Sequence, residues 1–183
     1  MKISLTTPLT KEKASSLKAG DIVSLTGVIY TGRDAAHKRM VDEFLKTGKF
    51  PFDLNDQIIY YVGPAPAKPG QISGSAGPTT SGRMDAYAPI IVDNGSTGMI
   101  GKGIRTKEVI EAMKRNKAVY FGATGGAGAL IAGHIKKSEV VAYDDLGTEA
   151  IHRFYVEELP LVVIIDSEGN NLYESEKVKF RKN

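Results

Sequence analysis

The order of strand and helix patterns constrains the fold of this chain more than any other feature of its sequence. A run rich in Val, Ile and Thr over residues 19–32 predicts a strand between two glycine turns, and apolar side chains at helical spacing over residues 34–48 predict an amphipathic helix that ends near Gly48. Further along, a helix pattern over residues 105–116 precedes a short apolar strand over residues 118–123. This alternation, which contains no internal repeat, predicts a mixed α/β fold.

Two further element predictions concern the middle and the end of the chain. Residues 84–91 carry apolar side chains at helical spacing and predict a helix, with Thr80 or Ser81 as its N-cap and Gly95 at its end. A strand is predicted for residues 172–178, after a turn rich in Gly and Asn. The C-terminal third is therefore predicted to alternate strands and turns.

The length and the composition fit one folded domain. The chain has 183 residues, of which 42% are hydrophobic and 25% are charged, as in ordinary globular proteins. A chain of this size buries roughly two thirds of the surface that its unfolded form exposes. Residues 1–183 are therefore predicted to form a single domain with its own core.

The charge balance argues against nucleic acid as a partner. The chain carries 24 Lys and Arg residues against 21 Asp and Glu residues, for a net charge of +3, whereas nucleic-acid-binding proteins present a broad basic face. A small anionic ligand fits this balance better. The chain also contains no cysteine, which excludes thiolate catalysis and any iron–sulfur cluster held by its own thiolates.

Neither a membrane span nor a secretion signal is expected. The longest apolar runs, such as residues 159–166, are far shorter than the roughly 20 residues that cross a bilayer. The first residues of the chain contain repeated lysines and no apolar stretch of signal-peptide length. The predicted location is cytoplasmic.

Three polar, glycine-bounded segments place a cation where a strand or loop leads into a helix. Arg33, Arg83 and Lys102 occupy these positions. The first amides of a helix are unpaired and carry partial positive charge, so such positions favour a carboxylate or phosphate, and arginine adds a two-pronged donor that matches a carboxylate. One such segment alone is more simply a capped helix end with a solvated cation, but three in one small chain favour an anion site.

The histidines indicate at most one functional side chain. His37 lies one turn beyond Arg33, and it either faces the same site or is an exposed helical residue. His134 and His152 have no metal-like spacing to each other or to carboxylates. No metal site is therefore predicted in this chain.

A glycine loop at residues 122–128 raises one alternative function. It lies between an apolar strand and an apolar segment, which is the order found in dinucleotide-binding units. Neither G-x-G-x-x-G nor G-x-x-x-x-G-K-[ST] is present, so a tight structural turn is the simpler interpretation. A nucleotide-binding or regulatory module is the alternative from a different functional class.

Six stretches of the sequence, taken together and in their order, resemble the β subunit, or C-terminal domain, of class I fumarate hydratase and of the related L-tartrate dehydratase. They extend over nearly the whole chain, and no single one of them would identify the family. The stretches are ISLTTPLT, LKAGDIVSLTGVIYTGRDAAHKR, SGSAGPTTSGRMDAYAP, GMIGKG, FGATGGAGAL and DDLGTEAIHRFYVEELPLVVIID.

This resemblance implies a swivelling β/β/α domain, with a mixed sheet and flanking helices, in a hydro-lyase that interconverts fumarate plus water with malate. In the family a [4Fe-4S] cluster supplies a Lewis-acidic iron, and the cluster cysteines belong to the α subunit or N-terminal domain. The absence of cysteine from this chain agrees with that division. The implied partners are a cluster-bearing α subunit and a four-carbon dicarboxylate substrate, in a hetero-oligomer that also allows a homodimer of the β chain.

The resemblance also implies roles for individual residues by their positions in the matching stretches. Thr79 corresponds to the threonine proposed as the catalytic base of the family. A threonine hydroxyl is a very weak base, so this role requires a strongly cationic, water-poor pocket, and N-capping is the structural alternative. The residues implied to contact substrate are Arg33, His37, Thr80, Arg83 and Lys102.

Three questions stay open at this level. A carboxylate clamp does not distinguish fumarate and malate from tartrate or another hydroxy diacid. The proton acceptor is Thr79, Thr80, His37 or a residue of the partner. The stoichiometry of the subunits has no signature in the sequence.

Overall fold

The computed structural model of the chain describes residues 2–124 and 128–180, which form an α/β structure with one mixed sheet. The strands are β1 (Lys2–Thr6), β2 (Ile22–Thr31), β3 (Ile58–Tyr60), β4 (Gly98–Gly101), β5 (Val119–Ala123), β6 (Ile135–Ala142) and β7 (Ile151–Ile165). The helices are α1 (Lys11–Ser16), α2 (Asp34–Thr47), α3 (Ala88–Asp93), α4 (Lys107–Asn116), α5 (Gly128–Ala132) and α6 (Leu172–Phe180), with 3₁₀ turns at Ser81–Met84 and Asp144–Glu149. The predicted α/β class is confirmed, and the swivelling β/β/α description stays a prediction.

Strand β7 closes the sheet on itself. Strands β1 to β5 pair in parallel and in chain order. The 15-residue β7 then pairs antiparallel with both β5 and β2, so that β2, β3, β4, β5 and β7 form a closed ring. Strand β1 flanks the ring beside β2, and β6 flanks it beside β7. Closure pairs backbone groups that two of these strands would otherwise expose at a sheet edge.

The two faces of the strands carry two separate hydrophobic clusters. One cluster contains Leu25, Phe121 and Phe154 and packs the face that the ring encloses. The other lies between the opposite face and the helices, where Met40 of α2 and Met113 of α4 are fully buried. Successive strand residues point to opposite faces, which is why neighbours in sequence belong to different clusters.

Helices α2 and α4 form where the sequence patterns predict them. Helix α2 ends at Gly48, whose φ of 72° lies in the left-handed region that favours glycine, and the Gly48 N–H donates to the Phe44 carbonyl. Helix α1 begins after Thr10, whose hydroxyl accepts a hydrogen bond from the Lys13 N–H. Across the described residues, none of the helices has the length and apolar character needed to traverse a membrane.

The single helix predicted over residues 84–91 is wrong. The chain first forms the 3₁₀ turn Ser81–Met84 and begins α3 only at Ala88. Pro89 has no amide hydrogen to donate to a carbonyl of a preceding helical turn. It is therefore tolerated in the first turn of α3, where it lies, but it would not be tolerated in the interior of a helix. The predicted N-cap is wrong as well, because Thr80 occupies that position without a side-chain capping hydrogen bond.

The strand predicted for residues 172–178 is also wrong, because these residues belong to α6. Asn171 caps this helix, since its side-chain oxygen accepts a hydrogen bond of 3.1 Å from the Tyr173 N–H. Leu172 and Tyr173 pack against the cluster outside the ring. A cap followed by good helix formers therefore outweighs the weak alternation of polar and apolar residues in this stretch.

Candidate functional site

The carboxyl ends of three parallel strands, β2, β3 and β4, lie side by side at one edge of the ring. The Gly32 N–H donates to the Tyr60 carbonyl at 3.0 Å, and the Tyr61 N–H donates to the Ile100 carbonyl at 2.8 Å. The segments that follow these strands are therefore neighbours, and such edges are where open parallel sheets bind ligands. The first and third of these segments carry Arg33 and Lys102.

The segment that contains Thr79 is bound to this edge through its backbone. The Thr79 N–H donates to the Tyr61 carbonyl at 2.7 Å, and the Lys102 N–H donates to the Thr79 carbonyl at 3.3 Å. The Ser81 N–H in turn donates to the Lys102 carbonyl at 2.8 Å. This close approach requires glycine at position 101, because a Cβ atom there would lie 2.9 Å from the Tyr61 ring and would overlap the Ser81 side chain.

Arg33 immediately precedes the first residue of α2, and its side chain is 27% exposed. Its Nε lies 3.9 Å from a Glu149 carboxylate oxygen, which is too far for a hydrogen bond, and this buried Nε has no hydrogen-bond partner in the described part of the chain. Gly63 leaves room for the side chain, since a Cβ atom at that position would lie 2.9 Å from the Arg33 Cδ. The Nε is therefore unsatisfied but enclosed, and only the exposed part of the Arg33 side chain can reach a ligand.

Arg83 lies in the 3₁₀ turn and forms an ion pair with the first residue of α2. Its Nε and Nη2 lie 2.8 Å and 2.6 Å from Oδ2 of Asp34, and its side chain is 54% exposed. This pair joins the turn to the start of α2, next to Arg33. The exposed Arg83 side of this pair can be reached by a ligand carboxylate, whereas Oδ1 of Asp34 is buried and has no hydrogen-bond partner among the described residues.

His37 is buried beneath the start of α2, so the alternative of an exposed histidine is wrong. Its Nδ1 lies 2.9 Å from the Arg33 carbonyl, which only accepts, so Nδ1 carries the proton. Burial lowers the pKa of His37 to about 4 and outweighs the opposing effect of this hydrogen bond. The ring is therefore neutral at pH 7, and it meets Tyr61 edge to face at a centroid distance of 5.2 Å.

The remaining predicted contacts are accessible from solvent. Thr80 and Lys102 are exposed, and their segments pair through an isolated parallel bridge. Thr79 is half-buried, and no described residue forms a hydrogen bond with its hydroxyl. The structure thus brings the predicted residues to one edge of the ring, and their roles toward a substrate stay predictions.

A buried ion pair supports this edge from below, and sequence reasoning did not find it. The side chain of Arg105 is fully buried, and its Nε donates to Oδ1 of Asp85 at 2.8 Å. Its Nη2 donates to the Tyr61 hydroxyl at 3.1 Å, and its guanidinium lies 4.8 Å from the centre of the Tyr120 ring. Arg105 and Asp85 both follow cationic segments in the sequence, but no pattern there distinguishes them from solvated charges.

Tyr120 extends this network to the glycine segment that contains Lys102. Its hydroxyl donates to the Gly103 carbonyl at 2.9 Å and lies 2.8 Å from the Ser81 hydroxyl. Burial raises the pKa of Tyr120, so this hydroxyl keeps its proton at neutral pH. The network therefore joins the 3₁₀ turn to the segment after β4.

Chemically, the edge is suited to a small dianion and lacks the ligands of a metal centre. Arg33, Arg83 and Lys102 supply three positive charges, beside the carboxylates of Asp34 and Glu149. The chain has no cysteine. In residues 2–124 and 128–180, no group of three or more His, Asp or Glu side chains could hold a metal ion. Of the glycine loop at residues 122–128, residues 125–127 lie outside the described part of the chain.

One family model matches almost the whole chain. It is described as Fumarase C-terminus, and it matches residues 1–176. The match includes all the residues of the edge described above. It also spans the glycine loop, so it favours the hydro-lyase interpretation over a nucleotide-binding module.

The curated relatives of this chain include class I fumarate hydratases and a tartrate dehydratase subunit. The chain is 40% identical over 154 residues to the aerobic class I fumarate hydratase of Escherichia coli K12, covering 83% of this chain and 28% of that protein. It is 39% identical over 186 residues to a putative class I fumarate hydratase of Geobacillus stearothermophilus, covering 98% of this chain and 35% of that protein. It is 41% identical over 172 residues to the putative L(+)-tartrate dehydratase subunit beta of Methanocaldococcus jannaschii, covering 91% of this chain and 88% of that protein.

These relatives differ in how much of their length the chain represents. The chain spans 28% and 35% of the two fumarate hydratases but 88% of the tartrate dehydratase subunit. The matched region is therefore one part of a longer polypeptide in the former and a nearly complete subunit in the latter.

Proposed function

The chain belongs to the fumarase C-terminal family, and from this membership we propose that it is the β-type half of a hydro-lyase that interconverts fumarate plus water with malate. In this proposal residues 1–183 act as one domain that binds the substrate. The active enzyme requires an α-type partner, and the resulting complex is a cytoplasmic hetero-oligomer in which β chains also pair.

One observation carries this proposal: three cations and an unbonded threonine hydroxyl lie at one edge of the ring. The Arg33 side chain is partly exposed, and Arg83 holds its carboxylate partner at an exposed position. Lys102 is linked through its backbone to Thr79. A four-carbon dicarboxylate has two negative ends, which three cations can hold while the carbons between them face the hydroxyl.

In the proposed reaction the residues of this chain orient the substrate and move one proton. Arg33, Arg83 and Lys102 bind the two carboxylates, and Thr80 lines the same face. Thr79 exchanges the proton on the carbon next to a carboxylate, and the surrounding positive charge stabilises the deprotonated oxygen. Neutral His37 holds the Arg33 backbone through its Nδ1–H and fixes the start of α2.

The iron–sulfur cluster that the family implies does not fit the residues of this chain. No cysteine is present, and the described residues contain no group of metal-ligating side chains. We therefore assign the [4Fe-4S] cluster to the α-type partner. The active site then lies between the two subunits, because the cations and hydroxyls come from one chain and the cluster from the other.

L-Tartrate dehydration is a second candidate, and a specific observation favours it. The chain matches a putative L(+)-tartrate dehydratase subunit beta over 88% of that protein. Tartrate and malate are both four-carbon hydroxy diacids, so the same cations would bind either one. The proposal therefore includes both reactions until the substrate is measured.

Reconstitution tests the proposed function directly. The chain should be produced alone and together with an α-type subunit from the same genome under anaerobic conditions, and each preparation assayed for fumarate hydration and for tartrate dehydration. We expect activity from the pair and none from the single chain. Activity of the metal-free single chain, or an inactive pair that contains an intact cluster, would contradict the proposal.

Substitution of Thr79 tests its role in the pair. If Thr79 exchanges the substrate proton, Thr79→Ala lowers kcat by roughly 10²-fold or more while the Kd for substrate and the free energy of unfolding stay nearly constant. Thr79→Ser keeps the oxygen and should retain part of the activity. If the Thr79→Ala enzyme exchanges the malate C3 proton with deuterated solvent at the wild-type rate, Thr79 is not the proton acceptor. The acceptor would then be Thr80, His37 or a residue of the partner.

A further inference from the structure

We propose that Arg105 is a positioning residue of this site: its buried guanidinium sets the relative placement of Thr79, Arg83 and Lys102 without contacting the substrate. The inference rests on the proposed function for the identity of the ligand. The contacts through which Arg105 acts belong to the fold of this chain alone.

Arg105 cannot reach a ligand. Its side chain is 0% exposed, and that of its partner Asp85 is 6% exposed. The guanidinium is enclosed by Asp85, Tyr61, Met99 and the Tyr120 ring. A role in catalysis must therefore act through these neighbours.

The neighbours of Arg105 hold the segments that carry the site. The Tyr61 hydroxyl accepts a hydrogen bond from Arg105, and the Tyr61 carbonyl accepts one from the Thr79 N–H at 2.7 Å. Asp85 follows the 3₁₀ turn that contains Arg83, and its Oδ2 accepts from the Thr106 N–H at 2.7 Å, at the start of α4. Arg105 is thus bonded to both sides of the site.

The segment that contains Lys102 has little intrinsic rigidity. Lys102 lies between Gly101 and Gly103, and the φ of Gly103 is 89°. The Tyr120 hydroxyl holds the Gly103 carbonyl and contacts Ser81, while the Tyr120 ring packs on the guanidinium of Arg105. The position of Lys102 therefore depends on a ring that Arg105 fixes.

The energetics agree with a geometric role. Replacing a buried ion pair with apolar residues of similar volume is often neutral or stabilising, so overall stability does not account for this pair. A planar guanidinium, in contrast, holds several acceptors in fixed directions at once. Here it bonds a carboxylate of one segment and a hydroxyl of another.

Two variants in the assembled enzyme test the proposal. Arg105→Lys keeps the charge but replaces the planar guanidinium with a single ammonium group. Tyr120→Phe removes only the hydroxyl between Ser81 and Gly103. We expect each to raise the KM for malate about tenfold or more at temperatures where the protein is fully folded, with a smaller change in kcat. A residue that only stabilised the fold would change the melting temperature and leave the KM of the folded enzyme constant.

Hydrogen exchange of the full chain supplies a readout that does not need activity. In both variants the Thr79, Ser81 and Lys102 amides should exchange at least tenfold faster, while amides in the β1–β2 pairing keep wild-type rates. Arg115→Lys, which changes an exposed pair between Arg115 of α4 and Asp93 of α3 in the same way, is the matched control and should alter neither KM nor these rates.

The outcomes separate the two proposals. Folded variants whose KM stays within twofold of wild type would overturn the positioning role. A wild-type pair that lacks hydro-lyase activity would overturn the proposed function instead, and unchanged exchange at the three amides would then overturn the positioning role independently.

Discussion

Two arginine–aspartate pairs near the candidate site have the same Nε to carboxylate distance and opposite surroundings. In both the Arg105–Asp85 and the Arg83–Asp34 pair this distance is 2.8 Å. The side chains of the first pair are 0% and 6% exposed, whereas those of the second are 54% and 35% exposed. The Nε–carboxylate distance is therefore shared, whereas burial differs, and so does the second nitrogen, which contacts Asp34 in the Arg83 pair and Tyr61 in the Arg105 pair.

The difference shows how one chemical pair serves two purposes. Water screens the Arg83 pair, and the exposed guanidinium can reach another carboxylate, so this arginine is suited to binding an anion. Removing one partner from the buried pair leaves an uncompensated charge away from water. The buried pair is therefore suited to hold a structure in place.

The largest expected effect is on stability, from breaking the buried pair. Arg105→Met should lower the free energy of unfolding by about 3 to 5 kcal/mol, because Asp85 is left charged and buried. Urea unfolding of the full chain measures this change. Arg115→Met, which breaks an exposed pair, should cost less than about 1 kcal/mol.

A double variant sharpens the same comparison. Arg105→Met with Asp85→Asn removes both charges and keeps an acceptor for the Thr106 N–H, so it should regain at least half of the lost stability. If the single variant loses no more than the Arg115→Met control, the contrast between the two pairs fails.

The next effect is on catalysis, from breaking the exposed pair. Arg83→Met removes a charge-assisted carboxylate contact. In the assembled enzyme it should lower kcat/KM by an amount that corresponds to about 2 to 4 kcal/mol of activation free energy, while the free energy of unfolding changes by less than about 1 kcal/mol. Lys102→Met should behave similarly. Steady-state kinetics with malate, together with urea unfolding, would contradict the assignment if Arg83→Met lost stability and kept its kcat/KM.

The smallest expected effect is a pH dependence from His37. Its pKa of about 4 in the folded chain is below its ordinary value of 6.5, so between these pH values the unfolded chain binds a proton that the folded chain does not. The free energy of unfolding should therefore fall by at most about 1.4 kcal/mol per pH unit as the pH decreases from 6.5 toward 4.

Urea unfolding at pH 7, 6 and 5 measures this dependence, with His37→Gln as the comparison. The variant should show a shallower slope, although not a flat one, because burial also lowers the pKa of His152. An unchanged slope in His37→Gln would show that His37 is protonated in the folded chain above pH 5. The neutral ring inferred for the site would then be wrong in that range.

Much of the local structure was predictable from the sequence because its determinants are local. The apolar period of α2 and the glycine that ends it lie within residues 34–48, and the structure has the helix at Asp34–Thr47. The prediction failed where one local signal outweighed the apolar period. Pro89 restricts α3 to a late start, and Asn171 caps a helix where alternation suggested a strand.

The sequence by itself determined the α/β class, because the order of strand and helix patterns is readable along one chain. It also predicted the residues of the candidate site, from cations bounded by glycine and from the family resemblance, and their roles stay predictions. Tertiary structure alone decided that β7 closes the ring, that His37 is buried and neutral, and that Arg105 differs from Arg83. These properties depend on contacts between residues far apart in sequence, such as the pairing of β2 with β7 and the enclosure of Arg105 by Tyr61 and Tyr120. Burial sets the strength of a charge interaction, and burial is a property of the folded chain rather than of a residue type.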